Sequence, residues 1–287
     1  MRRLALVTYS GLPDLSADDR LVVTPLAARG IRADAAAWDD PSVRWEAYDA
    51  LVIRSAWNYH KVYDAFLSWI GRVEALGVPI WNPPPILRWN ATKTYLRDLA
   101  SQGVNVVPTR WITTGDTASL AEVLTDAAWP EAVVKPIVSA SAYETWRVTA
   151  AALTAADEAR FRSLSAVSGA MVQPFLREVP RDGEWSFVFL GGNYSHAVLK
   201  RPRAGDFRVQ PEHGGSVEAR TPDRSVLAAA HEIIGRAPSP WLYARVDGCV
   251  VDGRLLLIEL EMLEPSLLLE THGAAPATFA EAIARAL

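Results

Sequence analysis

The chain has 287 residues, of which 50% are hydrophobic and 22% charged, with a formal net charge of −4 and one cysteine. This composition indicates an ordinary globular protein of about two domains and excludes the disordered and fibrous classes. The nearly balanced charge gives no reason to expect nucleic acid or a membrane as partner. No apolar run approaches the roughly 18 residues that span a bilayer, and the start of the chain has no signal-peptide core, so we expect a cytoplasmic protein.

The first eighty residues alternate between strand and helix patterns. Apolar runs predict strands at residues 4–8, 50–54 and 78–81, and amphipathic spacing predicts helices at residues 17–29 and 63–76. This alternation predicts a parallel sheet covered by helices. Ligands of such sheets bind beyond the carboxyl ends of the strands, where the polar segment from Arg54 to Tyr59 falls. The alternative is that these side chains merely cap the strand.

The proline run at residues 83–85 marks a domain boundary. After it we predict helices at residues 90–102, 119–127, 151–166, 225–235 and 277–286. Strands are predicted at residues 106–112, 132–135, 171–173, 185–190, 194–200, 243–251 and 254–262. This second part is therefore predicted to be α+β and largely antiparallel. The sequence lacks the P-loop, the dinucleotide fingerprint and the nucleophile elbow, so any chemistry uses other devices.

The sharpest local feature is an acidic pair inside the apolar strand at residues 254–262. Glu259 and Glu261 point to one face, whereas the even-numbered residues 256, 258, 260 and 262 are expected on the other. Two carboxylates roughly 7 Å apart repel each other, and a divalent cation such as Mg²⁺ is the simplest neutralising partner. The alternative is a solvated outer face of the sheet.

The preceding strand carries Arg245 and Asp247 and is joined to the acidic strand through Asp252-Gly253. A strict two-residue turn would put Asp247 and Glu259 on opposite faces. A three-residue loop or a bulge restores the parity and brings them to one face. The metal hypothesis therefore predicts a hairpin that is not a simple two-residue turn.

Only four of the 29 basic residues are lysines. Lys135 and Lys200 fall in or at the end of apolar strands, where an unpaired ammonium is costly, so a bound anion is the favoured interpretation. Lys93 falls on a predicted helix, where a solvated lysine is also common, and Lys61 is expected to be solvated.

Taken in order, these features resemble the ATP-grasp superfamily, in particular its glutathione synthetase-like and RimK-like ligases, over nearly the whole chain. The motifs that carry the resemblance are W-N-P-P at 81–84, N-x-x-K at 90–93, V-V-K-P at 133–136, M-V-Q-P-F-L at 171–176, R-x-D at 245–247 and E-x-E at 259–261. The resemblance implies an ATP-grasp fold, α/β and α+β, with an N-terminal parallel α/β substrate-side domain at residues 1–88. The ATP-grasp unit would occupy residues 89–287, with a lid at about 104–170 and an antiparallel sheet carrying the ATP and metal site at 171–287.

The resemblance also implies roles for individual residues. Arg245 and Lys200 would be catalytic, and Asp247, Glu259 and Glu261 would hold Mg²⁺, with two ions expected. Contacts to ATP would come from Lys93, Lys135, Ser141, Gln173, Phe175, Leu176, Glu184 and Lys200. Contacts to the substrate would come from Arg54, Ser55, Asn58, Tyr59, Arg208 and Gly215. Of the tryptophans, Trp57 and Trp89 are expected to line a pocket.

Two positions depart from the family pattern. The loop that covers the phosphates usually has several glycines, but here Ser139-Ala-Ser-Ala142 takes that place, and Cβ atoms restrict positive φ. The last metal position is more often asparagine, but here it is Glu261.

The implied function is ATP-dependent carboxylate–amine ligation through an acyl phosphate, on a small amino-acid-like substrate. The segments at 54–59 and 259–266 are similar to the branch of the family that closes O-ureido-D-serine to D-cycloserine, which is an intramolecular ligation in antibiotic biosynthesis. A peptide-tailing ligase and a non-catalytic nucleotide-binding module are the alternatives, and a homodimer is left open.

Overall fold

The computed structural model describes all 287 residues. Four strands form a parallel sheet in the order β2-β1-β3-β4. They are β1 Arg2–Thr8, β2 Ile31–Ala37, β3 Ala50–Ile53 and β4 Ile80–Trp81. The helices of this part are α1 Ala17–Arg20, α2 Val23–Ala27, α3 Tyr63–Ala75, α4 Pro84–Asn90 and α5 Tyr95–Ser101. The predicted parallel α/β arrangement is confirmed.

Successive side chains of β1 pack into two different hydrophobic cores, one on each face of the sheet, because the side chains of a strand alternate between faces. Leu4 and Leu6 pack with the C-terminal helix α10 (Ala275–Ala286), and Ala5 and Val7 pack with α3. Burial on both faces explains the continuous apolar run that marked this strand in the sequence. The last helix of the chain thus completes the core of the first sheet.

A second sheet is antiparallel and has the order β5-β8-β6-β7. Its strands are β5 Arg110–Ile112, β6 Glu131–Pro136, β7 Trp146–Thr149 and β8 Ala170–Pro174. Two helices cover it, α6 Leu120–Ala127 and α7 Ala155–Ser168, and each begins with a capping box, at Ser119 and at Thr154.

A third, antiparallel sheet has the order β11-β10-β9-β12-β13. Its strands are β9 Glu184–Leu190, β10 Asn193–Arg201, β11 Ser216–Ala219, β12 Tyr243–Val251 and β13 Arg254–Glu261. Helix α9 (Arg224–Gly235) packs on one face, and the short helix α8 (Glu178–Asp182) precedes β9. The antiparallel α+β prediction for the second part is confirmed. Every helix is too short or too polar to cross a lipid bilayer.

The β12–β13 hairpin combines a two-residue turn with a bulge. Asp252 and Gly253 both have positive φ, 48° and 76°, as a type I′ turn requires. Gly248 pairs with Leu257, but Asp247 pairs with Glu259, so Ile258 is the extra residue of a bulge. The predicted restoration of parity is confirmed.

The same bulge corrects the predicted alternation along β13. Leu260 lies in the core on the α9 side as expected, but Leu256 and Ile258 pack with Val107 and Cys249 on the opposite side. The reason is that the extra residue reverses the alternation at Ile258.

Several predicted elements differ from the structure. The helix predicted at 17–29 is two short helices, α1 and α2, and the one predicted at 90–102 begins only at Tyr95, as α5. Strands β2, β7 and β11 and the helices α4 and α8 were not predicted. The predicted division of the chain at residues 88 and 170 stays a prediction. Strand β8 of the second sheet continues past the second bound to Pro174, and α10 packs on the first sheet.

Candidate active site

A cavity of about 580 Å³ is lined by residues from the second and third sheets and by Trp57 and Tyr59 of the N-terminal part. This volume is typical of sites for small molecules. The cavity has an apolar end and a charged end, which we describe in turn.

Apolar side chains and one buried amide form the first end. It is lined by Val107, Val133, Gln173, Pro174, Phe175, Leu176, Val179 and Ile258. Gln173 is buried and donates from Nε2 to Thr109 Oγ1 at 2.9 Å. The guanidinium of Arg147 lies 3.9 Å from the ring centroid of Phe175, which holds that ring in place. This end therefore suits a flat, largely apolar group.

The charged end is built on the face that the β13 bulge restores. Arg245 donates to Asp247 from Nε at 2.9 Å and to Glu261 from Nη2 at 2.7 Å. Ser186 of β9 donates to Asp247 at 2.6 Å. Burial acts to raise the pKa of Asp247, but Arg245 and Lys200 hold that pKa below its usual range. Burial raises the pKa of Glu261 to about 8 even though Arg245 opposes the rise.

The three predicted lysines all line the cavity, each in a different setting. Lys200 lies 2.7 Å from Glu184 and 3.3 Å from Asp247. Lys93 forms a salt bridge with Glu259. Lys135 has no salt-bridge partner, and burial lowers its pKa. An unpaired ammonium in a partly buried position is where an anion would bind.

The loop at residues 139–145 adopts the backbone of a glycine-rich loop without containing a glycine. Ser141, Ala142 and Glu144 have φ values of 50°, 53° and 51°. Ser141 lines the cavity. Tyr143 of this loop lies against His60, with ring centroids 4.9 Å apart, which links the loop to the N-terminal part. The Cβ atoms that were expected to restrict this conformation do not prevent it.

The segment after β13 is held by side chains that donate to its carbonyl groups. Trp57 Nε1 donates to Glu264 O at 3.0 Å, and Arg54 Nη2 donates to Pro265 O at 2.5 Å. Arg245 Nη1 lies 2.8 Å from Ser266 O, and His196 Nε2 lies 3.1 Å from Leu267 O. Four successive carbonyls are thereby bonded to side chains from three parts of the chain, the segment after β3, β10 and β12.

The structure brings two of the six predicted substrate residues to the cavity, Tyr59 and Arg208. Arg208 is also paired with Asp206 at 2.9 Å. Arg54 is completely buried and binds Asp19 at 2.8 Å, so it has a structural role in place of the predicted contact.

The other three predicted substrate residues also lie outside the cavity lining. Ser55 donates to Asp19, and Asn58 bridges Trp38 and Asp39. At Gly215 the backbone of Val209 comes so close that a Cβ would lie 2.1 Å from its carbonyl oxygen.

The two predicted tryptophans differ. Trp57 lines the cavity, but Trp89 does not, since it donates to Asp98 at 2.8 Å instead. Two cavity residues that sequence reasoning missed are Glu264 and Ser266. Their place directly after the acidic strand, in E-P-S, is the signal that would have found them.

The donor set fits a hard divalent cation. Asp247, Glu259 and Glu261 line one end of the cavity, and oxygen donors are the ligands that Mg²⁺ prefers. Their mutual repulsion contributes to the raised pKa of Glu261. These carboxylates are not arranged as three ligands of one metal ion. Arg245 and Lys93 bind their oxygens instead. Binding of an ion here would require these basic side chains to release the carboxylate oxygens.

Comparison with known proteins identifies the family. Residues 4–82 match the model of the N-terminal domain of D-cycloserine synthetase DcsG. The cycloserine biosynthesis protein DcsG of Streptomyces lavendulae is 31% identical over 99% of this chain and 98% of its own length. The chain belongs to the DcsG family. It is an ATP-dependent ligase of the ATP-grasp superfamily that forms C–N bonds, as the resemblance implied.

Solved structures agree with this membership. The crystal structure of D-cycloserine synthetase DcsG superposes with a TM-score of 0.89 at 29% identity, covering 99% of both chains. Two more distant structures share the fold. D-alanine–D-alanine ligase from Bacillus anthracis, complexed with ATP, has a TM-score of 0.68 at 15% identity over 98% of this chain and 94% of its own. The ATP-grasp ligase PsnB, complexed with a minimal precursor, Mg and ADP, has a TM-score of 0.64 at 16% identity over 99% and 97%. The predicted fold class is confirmed.

Proposed function

We propose that this DcsG-family ligase activates the carboxylate of O-ureido-D-serine with ATP and closes it to D-cycloserine. The observation that carries the proposal is the single face of β12 and β13, where Arg245 binds both Asp247 and Glu261 inside the cavity. A cation-rich, carboxylate-rich cavity with no nucleophilic triad suits phosphoryl transfer, which depends on positioning and charge neutralisation. The choice of O-ureido-D-serine as the substrate follows from the relatives, whose names refer to cycloserine biosynthesis.

The nucleotide fits the cavity with its base at the apolar end and its phosphates at the lysines. Gln173, Phe175 and Leu176 would hold the adenine, and Glu184 would contact the ribose. Lys93 and Lys200 would leave their present carboxylate partners and bind phosphate oxygens. Lys135, which has no partner, would bind phosphate directly. The amide and hydroxyl groups of the loop at 139–145, including Ser141, would cover the phosphates.

Asp247, Glu259 and Glu261 would hold Mg²⁺, with two ions proposed. When bound, the ions neutralise charge on the transferring phosphoryl group. Freed from Glu261 or Asp247, the Arg245 guanidinium would orient the substrate carboxylate and stabilise the charge that develops on its carbonyl oxygen. Lys200, once bound to phosphate, would keep the γ-phosphoryl aligned with that carboxylate.

Ring closure then needs no second substrate. The γ-phosphoryl passes to the carboxylate to give an acyl phosphate. The ureido nitrogen bonded to oxygen attacks the acyl carbon, a C–N bond forms, and phosphate leaves with the electrons of the C–O bond. The carbamoyl group, which the product lacks, leaves with water as carbon dioxide and ammonia.

A coupled ADP-release assay tests the proposal. O-ureido-D-serine alone, with Mg²⁺, should release ADP and give the ring product, whereas D-serine and D-alanine alone should not. ADP release that requires an added amine would favour an intermolecular or peptide-tailing ligase. Tight ATP binding with no substrate-dependent ADP release would favour a non-catalytic module.

A further inference from the structure

Glu264 differs from the other carboxylates at the charged end because it has no basic partner. Asp247 and Glu261 bind Arg245, Glu259 binds Lys93, and Glu184 binds Lys200. Glu264 is only 9% exposed and lines the cavity, yet its carboxylate makes no hydrogen bond or salt bridge with another residue. A buried, unpaired carboxylate is costly, so its place in a binding cavity points to a ligand of opposite charge.

The surroundings of Glu264 suit an organic cation. Trp57 and Tyr59 line the same cavity, and Trp57 donates to the Glu264 carbonyl at 3.0 Å. Burial, and after it the charge of Glu264, raise the pKa of the Tyr59 hydroxyl. Aromatic rings beside a carboxylate attract an ammonium group. Mg²⁺ instead prefers oxygen ligands and retained water.

The backbone around Glu264 is held in place by side-chain hydrogen bonds. The carbonyls of residues 264–267 are bonded to Trp57, Arg54, Arg245 and His196. Arg245 donates to the carbonyl of Ser266, two residues after Glu264, and both Arg245 and Glu264 line the cavity. An amino acid carries its ammonium one carbon from its carboxylate, so a substrate whose carboxylate binds Arg245 would hold its ammonium in the same cavity that Glu264 lines.

We propose that Glu264 binds the α-ammonium group of the substrate and thereby selects amino acids over carboxylates that lack this group. The inference rests on the proposed function, since it names the group of that substrate that the enzyme recognises. Lys93 lines the same cavity, but its salt bridge is with Glu259, and the proposed function moves it from Glu259 to phosphate.

Two substrates and three variants test the inference. KM and kcat are measured by ADP release with O-ureido-D-serine and with its desamino analogue, 3-(ureidooxy)propanoate. The wild type should prefer the amino compound by about 10- to 150-fold in kcat/KM, the range for a charged hydrogen bond. Glu264→Gln should remove most of this preference by raising KM for the amino compound, with the analogue unchanged. Glu270→Gln, an exposed residue of the same segment, is the matched control and should resemble the wild type.

Other outcomes overturn the inference in distinguishable ways. Equal losses with both substrates, or a shifted Mg²⁺ dependence, would assign Glu264 to structure or metal. If the wild type accepts both compounds equally, the proposed function stands and the inference does not. If the wild type releases ADP with neither, both are wrong. Should Glu264→Gln fail to fold, Glu264→Asp replaces it, because withdrawing the charge by one methylene should lower the preference and leave the analogue unaffected.

Discussion

Replacing Arg54 separates the structural role that the geometry gives it from the substrate role predicted from sequence. The side chain is completely inaccessible to solvent, and its Nε lies 2.8 Å from Asp19, which is 1% exposed. Its guanidinium also lies 4.8 Å from the ring centroid of Tyr243 and donates to the Pro265 carbonyl. Arg54→Met therefore leaves the Asp19 carboxylate buried without its partner.

We expect Arg54→Met to lower the free energy of unfolding by about 3–5 kcal/mol, the usual cost of an uncompensated buried charge. For a chain of this size the melting temperature should fall by roughly 6–20 °C. The double variant Arg54→Met, Asp19→Asn should be less destabilised than the sum of the two single variants, because neither charge is then left alone. Urea unfolding without ligand measures all three values.

Arg44 provides the matched control. It pairs with Glu46 at 3.4 Å with 81% of its side chain exposed, so Arg44→Met should change stability by less than about 0.5 kcal/mol. An Arg54→Met protein that unfolds like the wild type but has a raised KM would refute the structural assignment and restore the substrate contact.

Three further predictions concern the charged end of the cavity. Glu259→Gln should abolish ADP release and leave the circular dichroism spectrum unchanged, since the isostere keeps volume but loses the metal ligand's charge; wild-type turnover would rule out that role. Glu261→Asn introduces the residue that is more usual in the superfamily and should raise the Mg²⁺ concentration that gives half-maximal rate. A Mg²⁺ titration after chelation measures this concentration, and an unchanged value would argue against ligation by Glu261. Lys135→Met should weaken binding of a non-hydrolysable ATP analogue by about 10-fold or more in calorimetry, whereas Lys61→Met should not; equal affinities would remove Lys135 from the phosphate site.

The sequence was most informative where residue pattern and local geometry act together. The bounds of β12 followed from its apolar run, and the need for a bulge followed from the period of two and the positions of Asp247 and Glu259. The position of that bulge could not be predicted, because any residue between the paired charges restores parity. The prediction for Leu256 and Ile258 was wrong for this reason.

Other differences come from contacts between distant parts of the chain. Strand β2 is rich in alanine, which has low strand propensity, but all seven of its residues pair in parallel with β1. The helix predicted at 90–102 is interrupted where the backbone N–H of Lys93 donates to Ile137 O at 2.8 Å, and this break delivers the lysine to the cavity. Arg54 follows the end of a strand as expected, but its side chain binds Asp19, 35 residues earlier in the chain. This long-range contact could not be predicted from the sequence around Arg54.

The bonded carbonyls of residues 264–267 also bear on how substrate range can change within this family. Backbone acceptors are the same whatever residue carries them, so the path of this segment does not depend on the side chains at 264 and 266. Those two positions line the cavity, so we expect single substitutions there to change its lining without moving the backbone. Substrate range could then change while β12 and β13 keep their charged side chains.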